Sequence, residues 1–303
     1  MAIIERHPAL DDYFVELTLA QISSQNGIAD IFETGRLILL KDYRLDFDFS
    51  ALTRLNKSTE LIDDRELRRK LKKLTALHFF EGEKPVARRG RLLFADPVRQ
   101  AVFDVLCRGN RDVFERAAGA LKSAHDELHR IFKICFPNYE TFRSVPSVRL
   151  TQTLFENLHW DNHSINDDFH QARIFANLDI RPRLWSVGRG FTDWVRKFYI
   201  EHDLGRFAGK DPNLMIAYIT GEVLGGTRNS WMDREPRHRI AFEPGEVWLA
   251  ESRLISHQIY YGEAAMVYMW FVDPASMSAP SNRFNEQVEQ VHREMREKEA
   301  KAI

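Results

Sequence analysis

The chain has 303 residues, 44% hydrophobic and 29% charged, enough for one large globular domain or two modest ones. A formal net charge of -1 excludes a global pull toward nucleic acid or anionic lipid. The two cysteines, Cys107 and Cys135, form no CxxC pattern, which argues against thiolate metal sites and fits a reducing compartment.

Residues 1–135 are expected to form a mainly helical region packed on the core, with one early strand at 35–40, a short apolar run after Gly35. Residues 63–74 read as a charged helix whose basic run, 65–73, is the solvated face. Asp96-Pro97 is a good helix start for 98–107. Along 113–135, Phe114, Ala118, Leu121, Ala124, Leu128 and Phe132 fall on one helical face. Phe136-Pro137-Asn138 then breaks the pattern. From 136 to 280 short apolar runs alternate with turn signals such as Gly188-Arg189-Gly190, Gly225-Gly226 and Pro244-Gly245. Strands are expected at 171–179, 245–251 and 264–272, and such spacing suggests a sandwich or jelly roll. The expected class is therefore α+β. A helical insertion at 190–207 opens a lid-like segment at about 190–240. Residues 281–303 hold a polar helix, 283–301, read as an exposed tail or the cap of a homodimer interface. No apolar run approaches the ~18 residues needed to span a bilayer, and the N-terminus lacks a secretory apolar stretch. A cytoplasmic chain with no transmembrane segment and no nucleic-acid partner is expected.

The informative pattern is His159-Trp160-Asp161 with a distant His257. Two imidazoles and one carboxylate make the facial triad that holds non-haem Fe(II) and leaves positions open for a co-substrate and O2. On a strand, residues i and i+2 point to one side, so His159 and Asp161 project together while Trp160 points away. His257 follows the 244–249 segment and precedes a strongly apolar strand, where a closing strand would present it to the same site. His163 and His170 lack a carboxylate at i+2 and read as loop residues; Asp167-Asp168 reads as a solvated turn. A surface His beside a solvated Asp is the alternative.

Oxygenases with this triad usually consume 2-oxoglutarate, whose far carboxylate needs a fixed cation, best an Arg fork. No Lys or Arg occurs from 258 to 282, so the common position after the distal His is apolar. Arg173 lies instead on the strand after HxD and shares a face with Phe175 and Asn177. An inward Arg and Asn would be costly to bury without a partner, and a dicarboxylate supplies one. Outward, Arg173 would simply be solvated. Arg143 and Arg149, on the approach to HxD, suit a carboxylate or phosphate on the substrate. Trp185, Trp231 and Trp248 read as packing aromatics more readily than as substrate platforms.

Several segments resemble the Kdo hydroxylases. They are Phe136-Pro137-Asn138-Tyr139, Phe142-Arg143, the LHWD at 158–161, the run 173–179, the run 182–188, Phe242-Glu243-Pro244-Gly245-Glu246-Val247-Trp248, Ser256-His257 and Gly262. The resemblance covers about 136 to 274. It implies an Fe(II)/2-oxoglutarate dioxygenase on a double-stranded β-helix (cupin-like jelly roll), hydroxylating an unactivated C–H of a small or sugar-like, anionic substrate with succinate and CO2 as co-products. It implies His159, Asp161 and His257 as metal ligands and catalytic centre, and functional roles for Arg143, Arg173 and Arg183. Arg173 and Asn177 would hold the co-substrate; Arg143, Arg149, Arg183 and Trp185 would contact substrate, the last two flanking the barrel mouth. The segment 150–157 is less charged here than in that family, which leaves the substrate open. A natural-product or amino-acid oxygenase with the same chemistry, with residues 190–240 as a remodelled lid, is one alternative. A metal-free jelly-roll binding module is another.

Overall fold

The structure, a computed structural model, describes residues 2–57, 62–71, 74–88, 91–150, 156–161, 169–223 and 235–302. His163, Asp167, Asp168, Gly225, Gly226 and Trp231 lie outside the described residues, as does most of the approach to HxD, 151–155. Among the described residues the chain runs β1 (Ile3–Glu5), β2 (Phe14–Leu17), α1 (Leu19–Ser24), α2 (Ala29–Phe32), β3 (Leu37–Leu40), α3 (Phe49–Thr53), α4 (Arg65–Leu71) and α5 (Leu77–Phe80). A small pair, β4 (Val86–Arg88) and β5 (Arg91–Leu93), precedes α6 (Pro97–Ala101), which continues as a π-turn over Val102–Leu106, and the long α7 (Arg111–Cys135). Then come β6 (Thr141–Leu150), β7 (Glu156–His159), β8 (His170–Asn177), β9 (Arg183–Gly190), α8 (Phe191–Phe198) and α9 (Pro212–Tyr218). The chain closes with β10 (His238–Phe242), β11 (Val247–Leu249), β12 (Ile255–Tyr261), β13 (Ala264–Val272) and α10 (Phe284–Ala302).

Two sheets carry the architecture. The larger has the order β2-β3-β11-β8-β13-β6; the smaller is β1-β10-β9-β12-β7. Every pairing within them is antiparallel except β2 with β3. The first 135 residues therefore do more than pack helices on a core. They add β1 to one sheet and β2 and β3 to the other, where a single early strand was expected. Three- and four-residue strands are set by the sheet edge that hydrogen-bonds them, not by their own pattern.

Strand alternation decides what each face meets. On the larger sheet Ala172, Ile174, Ala176, Met266, Tyr268 and Trp270 point outward into the main core, against α7. Asn110 caps α7 by accepting from the Val113 N–H, and its buried stripe runs Phe114, Ala117, Leu121, Ala124, Leu128, Phe132. Phe132 stacks on Trp270 with ring centres 4.1 Å apart. The stripe matches the sequence expectation, with Ala117 buried more deeply than Ala118.

On the smaller sheet Leu158 joins a second core made by α8, α9 and α10. Phe284, Val288, Val291 and Met295 supply α10's share, at helical spacing. The polar-looking C-terminal helix is thus pinned to its own chain. This corrects the exposed-tail reading. The helical insertion at 190–207 exists as α8 and a 3-10 turn at Leu204–Phe207.

One buried carboxylate links the chain's two ends. Glu33, fully buried after α2, accepts from the Tyr139 hydroxyl and from the backbone N–H groups of Ser278 and Ala279, each at 2.8 Å.

Between the sheets, inward residues form an aromatic plug. Phe242 stacks on Trp248 at 3.7 Å, Phe175 stacks on the same indole at 5.5 Å, and Trp185 meets Trp248 edge-on. The plug fills the β11-side end of the sandwich, below the level of His257.

Candidate metal centre

The smaller sheet builds the site by register. His159 ends β7, and antiparallel pairing sets it directly opposite His257 on β12, with ring centres 4.4 Å apart. Asp161 lies just past the strand, its N–H held by the Ser252 carbonyl at 3.1 Å. One donor atom from each of His159, Asp161 and His257 falls within 4.8 Å of the others. His159 Nε2 is 4.0 Å from Asp161 Oδ1, and His257 Nε2 is 3.9 Å from Asp161 Oδ2. His257 Nδ1 sits 3.3 Å from the Ile255 carbonyl, which favours the tautomer that leaves Nε2 as acceptor.

Charge states suit a cation. Burial alone would raise the Asp161 carboxyl, but the Arg173 guanidinium and the imidazoles of His257 and His159 outweigh it and hold it well below the usual carboxylate range. Burial pushes His257 down to about 3, with His159 adding to the effect, so its imidazole is neutral. A metal ligand set needs these forms: anionic carboxylate and neutral imidazole. Neighbouring ligands of a six-coordinate ion at ~2.1 Å lie ~3 Å apart, so the donors need close in by about 1–2 Å. The His159 and Asp161 side chains remain 25% and 26% exposed while His257 is 5% exposed. The set therefore has one side toward solvent, and the residues fit a 2-His-1-carboxylate ion with an open face.

The larger sheet faces the triad with a buried polar chain. Arg173, inward on β8, donates through one terminal nitrogen to Asp161 Oδ2 and through the other to Gln171 Oε1 at 2.7 Å. The Gln171 N–H donates to Glu251 Oε2 at 3.3 Å, and Glu251 receives two side-chain bonds from Arg253, at 3.1 and 3.0 Å. Gln171, Glu251 and Arg253 have at most 0% relative exposure. A buried ion pair of this kind is weak evidence for stability but holds direction well. Burial would raise Glu251, yet Arg253 beside it holds its carboxyl low. None of these three was picked out from the sequence. The signal was present: a Glu-Ser-Arg triplet interrupts an otherwise apolar approach to His257.

The other anticipated residues separate. Arg143 and Arg149 are both exposed and on the inward face of β6, but at opposite ends: Arg143 pairs across Phe271 to Gln171, whereas Arg149 pairs across Ala265 to Asn177. Only Arg143 is on the triad's side. Asn177 is fully buried and spent on the chain. Its amide donates to the Arg181 and Phe242 carbonyls at 2.9 Å, and its oxygen accepts from the Asp179 N–H at 3.0 Å. These bonds leave no amide hydrogen for a co-substrate, which corrects that expectation. Trp185 and Arg183 do not flank the mouth either. Trp185 lies one pleat below Val187, the partner of His257, and stacks on the His257 ring at 5.1 Å; it is a buried brace for that ligand. Arg183 lies a further pleat down, buried, donating to the Gly262 carbonyl at 3.1 Å. Gly262 is required there, with φ +140° and no room for a Cβ beside Arg183. His170, read as a loop residue, is a fully buried strand residue edge-on to Phe32 and Tyr139.

No protein-family model matches the sequence, and no curated protein matches it significantly. Solved structures do. The apo structure of the Kdo hydroxylase KdoO, a non-heme Fe(II) alpha-ketoglutarate-dependent dioxygenase, superposes with TM-score 0.55 at 12% identity, over 91% of this chain and 95% of that one. The same enzyme with alpha-ketoglutarate and Fe(III) gives 0.58 at 11% identity, over 91% and 95%. With cobalt(II) it gives 0.54 at 12%, over the same shares. This chain has the fold of that dioxygenase. The N-terminal region is included in the likeness, since the match runs well beyond the two sheets. No helix among the described residues is long and apolar enough to cross a membrane.

Proposed function

We propose that the protein is an Fe(II)- and 2-oxoglutarate-dependent oxygenase that hydroxylates an unactivated C–H bond of a small substrate. Its two sheets would form the double-stranded β-helix of a catalytic core at 136–280, with 1–135 as a supporting region, about 190–240 as an insertion and 281–303 as a C-terminal helix. The observation that carries this reading is the convergence of His159, Asp161 and His257, with Asp161 ionised and His257 neutral. A bound Fe(II) would supply the oxygen chemistry: R–H, O2 and 2-oxoglutarate give R–OH, succinate and CO2, with one oxygen atom entering succinate and the other the alcohol.

The chain's own residues do the rest. His159, Asp161 and His257 would hold the ion from one side and leave the other for ligands. Trp185 fixes the plane of His257 by stacking, and the Ser252 carbonyl fixes Asp161 through its N–H. Arg173 is the buried cation for the co-substrate, aimed by Gln171. Charge balance supports a dianion there: Asp161 and Arg173 cancel, a divalent ion leaves two positive charges, and 2-oxoglutarate returns the pocket to neutrality. Arg143 is the candidate substrate contact. Cys107 and Cys135, both buried and free, are in keeping with a cytoplasmic location.

Anaerobic addition of Fe(II) and 2-oxoglutarate tests the reading. The weak visible charge-transfer band of a chelated 2-oxo acid is expected in the parent protein and lost in Asp161→Ala and His257→Ala that remain folded. A band unchanged in His257→Ala removes the third ligand. Co-substrate affinity unchanged in Arg173→Ala removes the cation. A folded protein with no affinity for Fe(II) or Mn(II) would point to a metal-free binding module instead.

A further inference from the structure

The connection between β11 and β12, residues 250–254, reaches both sheets at the level of the site. The Ala250 N–H donates to the Arg173 carbonyl at 3.2 Å, and the Ser252 carbonyl accepts from the Asp161 N–H at 3.1 Å. The Leu254 carbonyl accepts from the N–H of Phe191, the first residue of α8, at 2.8 Å. These contacts close a ring. Asp161 Oδ2 accepts from Arg173, whose other terminal nitrogen donates to Gln171 Oε1. The Gln171 N–H donates to Glu251 Oε2, and the next peptide leads to Ser252, whose carbonyl returns to the Asp161 N–H. One loop of bonds thus holds Asp161 by side chain and backbone, and Arg173 stands in the same loop.

Arg253 lies outside the ring and braces it. Its N–H and its Nε each donate to Glu251 Oε1 at 3.1 Å, and Nη2 donates to Oε2 at 3.0 Å. A planar fork on both oxygens fixes the carboxylate in rotation as well as in place. With it is fixed the turn that the Leu254 N–H closes on the Glu251 carbonyl at 2.9 Å. On its far side the guanidinium lies 5.0 Å from the centre of the ring of Phe284, the first residue of α10. Phe284 in turn meets Phe191 at 5.3 Å. Glu251 and Arg253 are both fully buried. Apolar side chains of similar volume in place of such a pair often leave a fold as stable or more so. Stability is therefore a poor account of why the pair is there.

We propose that Arg253 is a positioning residue of the oxygenase: acting through Glu251, it holds the ring that sets the Asp161 carboxylate and the Arg173 guanidinium relative to each other. This rests on the oxygenase reading and deepens it. Arg253 touches neither ion nor co-substrate. Without its fork Glu251 is free to rotate, and two bonds of the ring loosen together. One is the bond from the Gln171 N–H, which carries Arg173; the other, through the turn, is the bond from the Asp161 N–H to Ser252. The metal and co-substrate sites therefore weaken as a pair. Loss of the Gln171 side-chain oxygen, by contrast, opens only the arm to Arg173.

Arg253→Ala would strand Glu251 as a buried charge and cost the fold itself, so two other variants of the full chain carry the test. Glu251→Gln/Arg253→Met removes both charges at similar volume; Arg253→Lys keeps the charge and loses the fork. Mn(II) affinity is read by electron paramagnetic resonance without co-substrate. Affinity for 2-oxoglutarate is read anaerobically from the visible band with Fe(II), and stability from urea unfolding. In the double variant both affinities should fall about tenfold while the urea midpoint stays at or above that of the parent. Arg253→Lys should lower both affinities in the same direction by less. A pair that serves stability alone gives the opposite pattern, a lower urea midpoint with parent affinities per folded molecule, and that result overturns the proposal. A fall in one affinity without the other overturns it too. Should the double variant fail to fold, parent affinities in folded Arg253→Lys overturn it equally. A parent chain that binds Mn(II) but forms no band strikes the oxygenase reading instead, and the Mn(II) measurement still reads the brace.

Discussion

The two ends of the space between the sheets meet on β8, yet they are built from opposite materials. At one end Phe175, Trp185, Phe242 and Trp248 fill the gap with stacked rings. At the other, Asp161, Arg173, Gln171, Glu251 and Arg253 pass hydrogen bonds and charge from a metal-ligand set into the larger sheet. On β8 the change takes one pleat, from Phe175 to Arg173. The plug gives the sandwich stability without direction; the polar chain gives direction at a cost in desolvation. A site that must orient a carboxylate ligand and a guanidinium needs the second, and it can bear that cost because the first lies beside it.

The comparison breaks most visibly through the plug. Trp248→Ala removes the ring that stacks with Phe242 and Phe175 and should destabilise the chain by about 3–5 kcal/mol. Urea unfolding measures this. Metal affinity per folded molecule should hardly move, and a parallel loss of metal binding would mean the two ends are not separable.

Acid should strike the polar end next. Burial pushes His170 down to about 4, so its 3.7 Å contact with Glu251 is that of a neutral imidazole. Between about pH 4 and the ordinary imidazole value the unfolded chain binds a proton that the folded chain refuses. Stability therefore falls as pH drops through that window and is level above it, with His257 contributing in the same direction. The fall attributable to His170 is ~3 kcal/mol across the window. His170→Phe, set among Phe32 and Tyr139, should flatten the acid limb seen by urea melts at about pH 7 and about pH 5. An equally steep limb in that variant would refute the assignment.

The smallest effect sharpens the comparison best. Gln171→Met keeps volume and removes the acceptor that aims Arg173. Co-substrate affinity should drop about fivefold to tenfold, while metal affinity and melting temperature stay near the parent values. If metal affinity falls equally, Gln171 is only a packing residue.

Periodicity made much of this legible. It placed β8 and β13, the stripe of α7, and His159 beside Asp161. What it could not supply was depth. Arg183, Trp185 and Val187 alternate on one face by parity, but parity is silent on which end of a strand meets solvent, and so Trp185 proved to be a buried brace beneath His257. Asn177 was on the expected face, yet at a strand end where backbone carbonyls from two turns reach it first. β1 and β2 are short edge strands stabilised by partners distant in sequence. The Glu251–Arg253 pair escaped notice because two charges in a short connection ordinarily face water.

Glu33 sets a timetable. Its partner N–H groups include that of Ala279, 246 positions downstream. A nascent chain can assemble both sheets and still hold a desolvated, half-satisfied carboxylate until the segment after β13 has left the ribosome. Folding of this protein should therefore finish late and in one step, and shortening it before Ala279 should produce a chain handed to chaperones and proteases rather than a smaller working domain.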